Sequence, residues 1–150
     1  MPEAGGPTTQ SGILYQNSIA ALFLGRLCDA AARPEQERVI RVRVEAPTEV
    51  DDTVVTFADQ HNYYIQAKEN IRIGDSTWKK MWIDFVKQFR SSSFQTGRDC
   101  LVLYTGVVHE EHNVLKELCE RTSGKENYTE WWASLNQEQQ SLVVRLMAFV

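Results

Sequence analysis

The sequence predicts an α/β fold in which a mixed central β-sheet is flanked by helices. Three strand-like segments, residues 39–45, 53–57 and 63–68, follow a first helical stretch and precede a second. A later run, residues 99–105 (DCLVLYT), is short and nearly continuously apolar, as expected for a strand covered on both faces. The rest of the chain carries apolar residues at the three- and four-residue spacing of amphipathic helices.

Residues 12–32 read as the first helix, because Ile13, Leu14, Ala20, Ala21, Leu24, Leu27 and Cys28 recur at helical spacing and Ser11 can cap the start. Residues 1–11 are rich in Gly, Pro, Thr and Gln, and a disordered leader is expected there. They lack the basic and apolar regions of a signal peptide. Pro34 opposes continuation of the helix. In residues 39–45, Val39, Arg41, Arg43 and Glu45 alternate with Ile40, Val42 and Val44, the period of a strand. Residues 53–57 and 63–68 are β-branched and aromatic, and Asp59-Gln60-His61-Asn62 between them has turn chemistry, so a hairpin is expected. Residues 76–90 form the clearest helix: Trp78, Met81, Trp82, Phe85, Val86 and Phe89 share one side at roughly 100° per residue. The strand at 99–105 ends at Gly106, a helix spans 110–121, and a helical stretch with a break near Asn136 runs from Asn127 to Val150.

At 150 residues the chain is long enough to bury a core without disulfides. Residues 12–125 are expected to be the core and 126–150 a helical extension. The apolar ending LVVRLMAFV has no capping signal, so the last helix is expected to lead into further domains. With 43% apolar and 24% charged residues the composition is that of an ordinary globular protein, and no apolar run approaches a membrane span. Cys28, Cys100 and Cys119 have no metal-ligand spacing and read as reduced, buried thiols of a cytoplasmic protein. His109 and His112 flank Glu110 and Glu111, where a solvated helix start is a better reading than a metal site. The net charge of −4 opposes an overall electrostatic footprint for nucleic acid, so any such contact needs positive charge gathered locally.

The chemistry-bearing segment is EAPTEVDDTVVTFADQHNYYIQAKEN, residues 45–70. An acidic pair, Asp51-Asp52, precedes one hairpin strand, and the returning strand ends in Gln66-Ala67-Lys68. Facing residues of an antiparallel pair point to the same side, so register selects the Asp. A three-residue turn centred on Gln60 sets Asp52 opposite Lys68. A turn one residue longer or shorter brings Asp51 onto that face instead. Asp52 is favoured because it leads directly into the strand. Phosphodiester hydrolysis uses this mixture. Asp52, the Gln66 side-chain carbonyl and the Ala67 backbone carbonyl are hard oxygen ligands for Mg²⁺, with Mn²⁺ able to substitute. Lys68 can orient water and offset charge growing on the phosphate. Glu45, at the end of the preceding strand, could complete the metal shell. The competing structural reading is that acidic turn residues and a strand-terminal Lys are simply solvated.

The segment resembles the nuclease core of the PD-(D/E)xK superfamily, in the branch where Gln stands at the second acidic position. The motif is Gln66-Ala67-Lys68 with Asp52, or Asp51, as the metal-binding Asp. No PD dipeptide is present; the acidic pair follows Val50. More narrowly, Gly12-x-x-Tyr15-Gln16, VDDTVV and YYIQAKEN resemble the double-stranded-DNA endonuclease effector domains of bacterial antiphage systems of CBASS and AVAST type. The likeness spans roughly residues 12–106. It implies the restriction-endonuclease-like αβββαβα core, Mg²⁺-dependent cleavage of double-stranded DNA, and a place for Gln16 beside the active site. It also implies an effector held silent until downstream domains assemble it into a homo-oligomer.

Contact with DNA is expected on the second helix, where Lys79, Lys80, Lys87 and Arg90 fall within roughly a 100° arc, with Arg72 just upstream. Two other classes of function remain open: a module of the same fold that binds nucleic acid or assembles without cutting, and a protein-interaction domain in which the acidic pair and QAK are surface residues. Convergence discriminates among them. Asp52 (or Asp51), Gln66 and Lys68 must lie on one side of the sheet for catalysis.

Overall fold

The computed structural model describes residues 7–29, 33–45, 48–50, 52–122 and 125–149. The elements follow in the order α1 (Pro7–Cys28), β1 (Val39–Val44), β2 (Thr53–Phe57), β3 (Asn62–Lys68), α2 (Ser76–Arg90), β4 (Cys100–Thr105), α3 (Glu110–Thr122), α4 (Tyr128–Ala133) and α5 (Gln137–Met147). The class is therefore α/β, with a four-stranded mixed sheet in the order β1-β2-β3-β4. β1 and β2 pair antiparallel, as do β2 and β3, whereas β3 and β4 run parallel across the connection that contains α2. The chain divides into two compact units. One comprises residues 1–70 and 84–106, and the other residues 71–83 and 107–150.

In the first unit, α1 starts at Pro7, five residues before the expected Gly12. Proline is favoured in the first helical turn, where its missing N–H costs nothing. Ser11 is consequently inside the helix, and its hydroxyl donates to Glu69 rather than capping. Residues 7–10 of the expected disordered leader are helical, while residues 1–6 lie outside the described ones. The inward stripe agrees only in part with the one expected, of which it keeps Ala20 and Leu27. Phe23 and Ala20 are buried and Ile19 and Leu27 pack on the core, while Ile13, Leu14 and Leu24 are exposed. With apolar residues on several sides of α1, spacing alone admitted two stripes, and packing against the sheet selects one.

That core consists of Phe23, Val39, Val55, Phe57 and Ile65, with Val42, Tyr63, Val102 and Tyr104 against it. One sheet face, carrying the odd-numbered residues of β2 and β3, thus receives α1. A bulge between Val39 and Arg41 brings Val39 and Val42 to this same face and leaves Ile40 exposed, contrary to simple alternation. β4 is half-buried rather than covered on both faces, because it is at the end of the sheet order. Cys28, Cys100 and Cys119 are exposed, not buried as expected: Cys100 opens that edge strand and Cys28 is the last residue of α1.

The other sheet face carries a polar row. Arg41 donates to Thr56 Oγ1 from Nε at 3.4 Å and from Nη2 at 3.3 Å, and that hydroxyl donates to Asn62 Oδ1 at 2.9 Å. Asn62 donates from its backbone N–H to Asp99 Oδ1 at 2.8 Å. The four residues span β1, β2, β3 and the approach to β4. The C-terminal half of α2 belongs to this unit. There the buried Gln88 accepts from Glu49 N–H at 3.2 Å and donates to Ser91 Oγ at 3.1 Å.

In the second unit, Trp78 is fully buried and stacks on Trp82 (centroids 5.9 Å apart) and His112 (6.3 Å). Leu118, Leu142, Val143 and Leu146 are buried beside α3–α5 contacts. The break expected near Asn136 is a helix start: its side chain accepts from Gln139 N–H, and the Gln139 side chain returns the bond. Arg145 of α5 pairs with Glu111 and donates to Ile73 C=O at 3.2 Å.

Candidate active site

The β2–β3 turn decides the geometry. Phe57 N–H donates to His61 C=O at 3.0 Å, and Gln60 N–H donates to Phe57 C=O at 2.9 Å. The loop is thus Ala58-Asp59-Gln60, centred on Asp59, and Gln60 closes it in the left-handed region at φ 73°. The expected turn was centred one residue later. The register is correspondingly Thr53↔Ile65 and Val54↔Tyr64, so Asp52 comes opposite Gln66 rather than Lys68. Moving the turn by a whole residue shifts the partner by two, which preserves the face. Asp52, Gln66 and Lys68 therefore share the side opposite α1.

The ladder between β2 and β3 ends at Thr53, and the Asp52 carboxylate takes over beyond it. Its Oδ2 accepts from Ala67 N–H at 2.9 Å and from Lys68 Nζ at 3.0 Å. The pair is largely withdrawn from solvent, with 10% exposure at the Asp52 side chain and 24% at Lys68. Gln66 is buried beside them. In an extended strand the N–H and C=O of one residue project to the same side, so the Ala67 carbonyl faces the Asp52 edge as well. On the other flank, Val44↔Thr53 continues to Glu45, whose N–H donates to Asp52 C=O at 3.1 Å. Glu45 is exposed, with φ 49°, and its side chain makes no described contact with Asp52, Gln66 or Lys68.

The remaining expected residues are placed differently. Asp51 lies outside the described residues. Gln16 is half-buried on the helix that covers the opposite face, and among the described residues no hydrogen bond joins it to Asp52 or Lys68. Its neighbour Tyr15 does reach this end of the sheet, where burial and the nearby Tyr104 and Glu69 push its phenol up from the ordinary 10.0. Along α2, Lys79 sits over the Phe149 ring at 5.4 Å and Lys87 pairs with Asp84 at 3.8 Å, while Lys80, Arg90 and Arg72 are exposed. Gly106, which the sequence showed only as a strand end, closes the β3–β4 ladder at Lys68. Its N–H donates to Lys68 C=O at 3.3 Å, and a Cβ there would meet Glu69 C=O at 2.9 Å.

The donor set fits a hard divalent cation. Asp52 Oδ2 takes both of the hydrogen bonds described at this carboxylate. The Gln66 amide and the Ala67 carbonyl add oxygen, the preference of Mg²⁺, which also retains several waters. Among the described residues no three His, Cys, Asp or Glu side chains converge to hold a metal, so neither a soft-metal site nor a carboxylate cage is built. His112 instead accepts from His109 N–H at 3.1 Å, so no metal need be invoked there. Nor is any helix among the described residues long and apolar enough to cross a membrane. Comparison of the chain with protein-family models, with curated proteins and with solved structures returned no match.

Proposed function

We propose that this chain is a metal-dependent endonuclease that hydrolyses phosphodiester bonds of double-stranded DNA. The observation that carries the reading is the single carboxylate oxygen of Asp52 held by both Lys68 Nζ and Ala67 N–H, on the same sheet face as Gln66. An interaction surface has no need to withdraw an Asp–Lys pair to this degree at the end of a ladder. A site that must hold positive charge against a phosphate does.

Asp52, Gln66 and the Ala67 carbonyl would hold the cation, which supplies Lewis-acid stabilisation of the phosphate when bound. Lys68 has two tasks. It orients the attacking water, and it offsets the negative charge that grows as the water oxygen bonds to phosphorus and the bond to the leaving sugar oxygen breaks. Ala67 N–H and the backbone bond from Glu45 fix Asp52, so the carboxylate needs little reorganisation on binding. The role of antiphage effector, and assembly into a homo-oligomer through further domains, rest on the resemblance alone.

Incubation of plasmid DNA with the protein and Mg²⁺ or Mn²⁺ tests the reading. Cleavage by wild type, lost in Lys68→Ala, in Asp52→Ala and in EDTA, is expected. Intact DNA with wild type across a range of protein concentrations transfers the site to the non-cutting, nucleic-acid-binding reading.

A further inference from the structure

Besides Lys68, the register places two further positive charges, Arg41 and Arg43, on the same sheet face as Asp52. Arg41 pairs with Thr56 and Arg43 with Val54, both on the Gln66 side, while Val42 between them faces the α1 core. Arg43 is the diagonal cross-strand neighbour of Asp52, a separation of roughly 7–8 Å. Arg41 lies a further two residues along β1, about 7 Å at the rise of an antiparallel strand. Both side chains are exposed, and neither forms an ion pair among the described residues. Arg41 is nonetheless positioned, because Thr56 Oγ1 accepts from its Nε and Nη2. The strand that carries them is at the end of the sheet order.

An exposed arginine row in a chain of net charge −4 is a local reversal of sign, and it leads directly to the Asp52–Lys68 pair. Arginine's planar fork matches phosphate oxygens. We propose that Arg41 and Arg43 form the phosphate track of the enzyme, receiving the backbone of duplex DNA along β1 so that the scissile phosphate meets Lys68. The inference rests on the nuclease reading and moves the main DNA contact from α2, where the sequence suggested it, to β1. On α2, Lys79 stands over the Phe149 ring and Lys87 pairs with Asp84, while Lys80 and Arg90 are exposed. What distinguishes Arg41 and Arg43 is register, which sets both on the Asp52 face, with Glu45 the acid next along the strand.

The test is binding of a fluorescently labelled DNA duplex by anisotropy in EDTA, where no cleavage occurs, as a function of salt. Arg43→Gln and Arg41→Gln are compared with wild type, with Lys80→Gln as the α2 control and circular dichroism as the check on folding. Each arginine variant should lower the slope of log affinity against log salt by about 1, uniformly across sequences. Arg43 has no described bond within the chain, so its variant separates binding from stability. Slopes equal to wild type in both variants overturn the proposal, as does a larger loss in Lys80→Gln. So does a wild type that binds only single-stranded RNA, or no nucleic acid. If the arginine variants lose binding but wild type does not cut with Mg²⁺, the catalytic reading fails and the track stands. If wild type cuts and the slopes are unchanged, the reverse holds.

Discussion

Replacing Lys68 with Met keeps the aliphatic stem but removes the ammonium from Asp52 Oδ2. At 3.0 Å, the gross attraction of the pair is ~5 kcal/mol for an effective permittivity near 20. Desolvation cancels most of it, because the side chains are only 24% and 10% exposed. Asp52 also keeps its bond from Ala67 N–H in the variant. The net loss of stability should therefore be about 1–2 kcal/mol, leaving a folded protein. The loss in catalysis should be much larger. A charge lost from beside the developing phosphate negative charge costs about 10²–10³ in rate, or ~3–4 kcal/mol at the transition state. Stability is best followed by far-UV circular dichroism, which reads the strands and helices directly. Plasmid cleavage at saturating Mg²⁺ gives the rate. A Lys68→Met protein that is folded and cuts within about tenfold of wild type would refute the role assigned to this residue.

Gly106→Ala should lower both stability and cleavage, because its Cβ meets Glu69 C=O at 2.9 Å and Tyr15 Cε2 at 3.3 Å. Denaturant titration should show a loss of about 1–3 kcal/mol, and an unchanged midpoint would contradict the close approach. Phe23→Ala empties the centre of the α1-facing core and should cost about 3–5 kcal/mol, measurable by urea unfolding. Burial, with a smaller effect of His109, holds His112 below its ordinary 6.5 against the opposing pull of Glu111. The unfolded chain then takes up the extra proton first, so stability is complete above 6.5 and declines as pH falls towards the folded value. Tm measured at about pH 7.5 and about pH 5.5 should show this decline, and His112→Phe should flatten it.

Much of the layout was legible because it depended on local chemistry. The bounds of β2 and α2 follow directly from a β-branched run and from an apolar stripe, although Phe89 of that stripe is exposed and Gln88 beside it is buried. The break near Asn136 was visible in the sequence, and the structure makes it a reciprocal helix cap. Other features depended on pairing partners that a single segment does not reveal. The stripe of α1 was ambiguous until the sheet chose Phe23, and β1 conceals a bulge that alternation cannot show. Asp52, Gln66 and Lys68 were grouped by the sequence because a whole-residue displacement of the turn leaves parity intact. Their actual alignment, Asp52 opposite Gln66, needed the Asp59-centred turn. Arg41 and Arg43 appeared only as the polar half of an alternating strand. Their relation to Asp52 is a property of register, and so no inspection of β1 by itself could have found it.

The polar row Arg41–Thr56–Asn62–Asp99 has a consequence for how reliably the site assembles. Thr56 is four residues from Asp52, about 14 Å along the strand, so it does not touch the Asp52–Lys68 pair. Yet a one-residue slip of β2 against β3 would turn the buried Thr56 hydroxyl onto the apolar α1 face and separate it from Asn62, while turning Asp52 away from Lys68. The misaligned hairpin thus incurs two penalties at opposite ends, and only the aligned one satisfies both. The row works as a proofreading device for strand alignment: the chain can hardly complete its sheet without also bringing Asp52, Gln66 and Lys68 together.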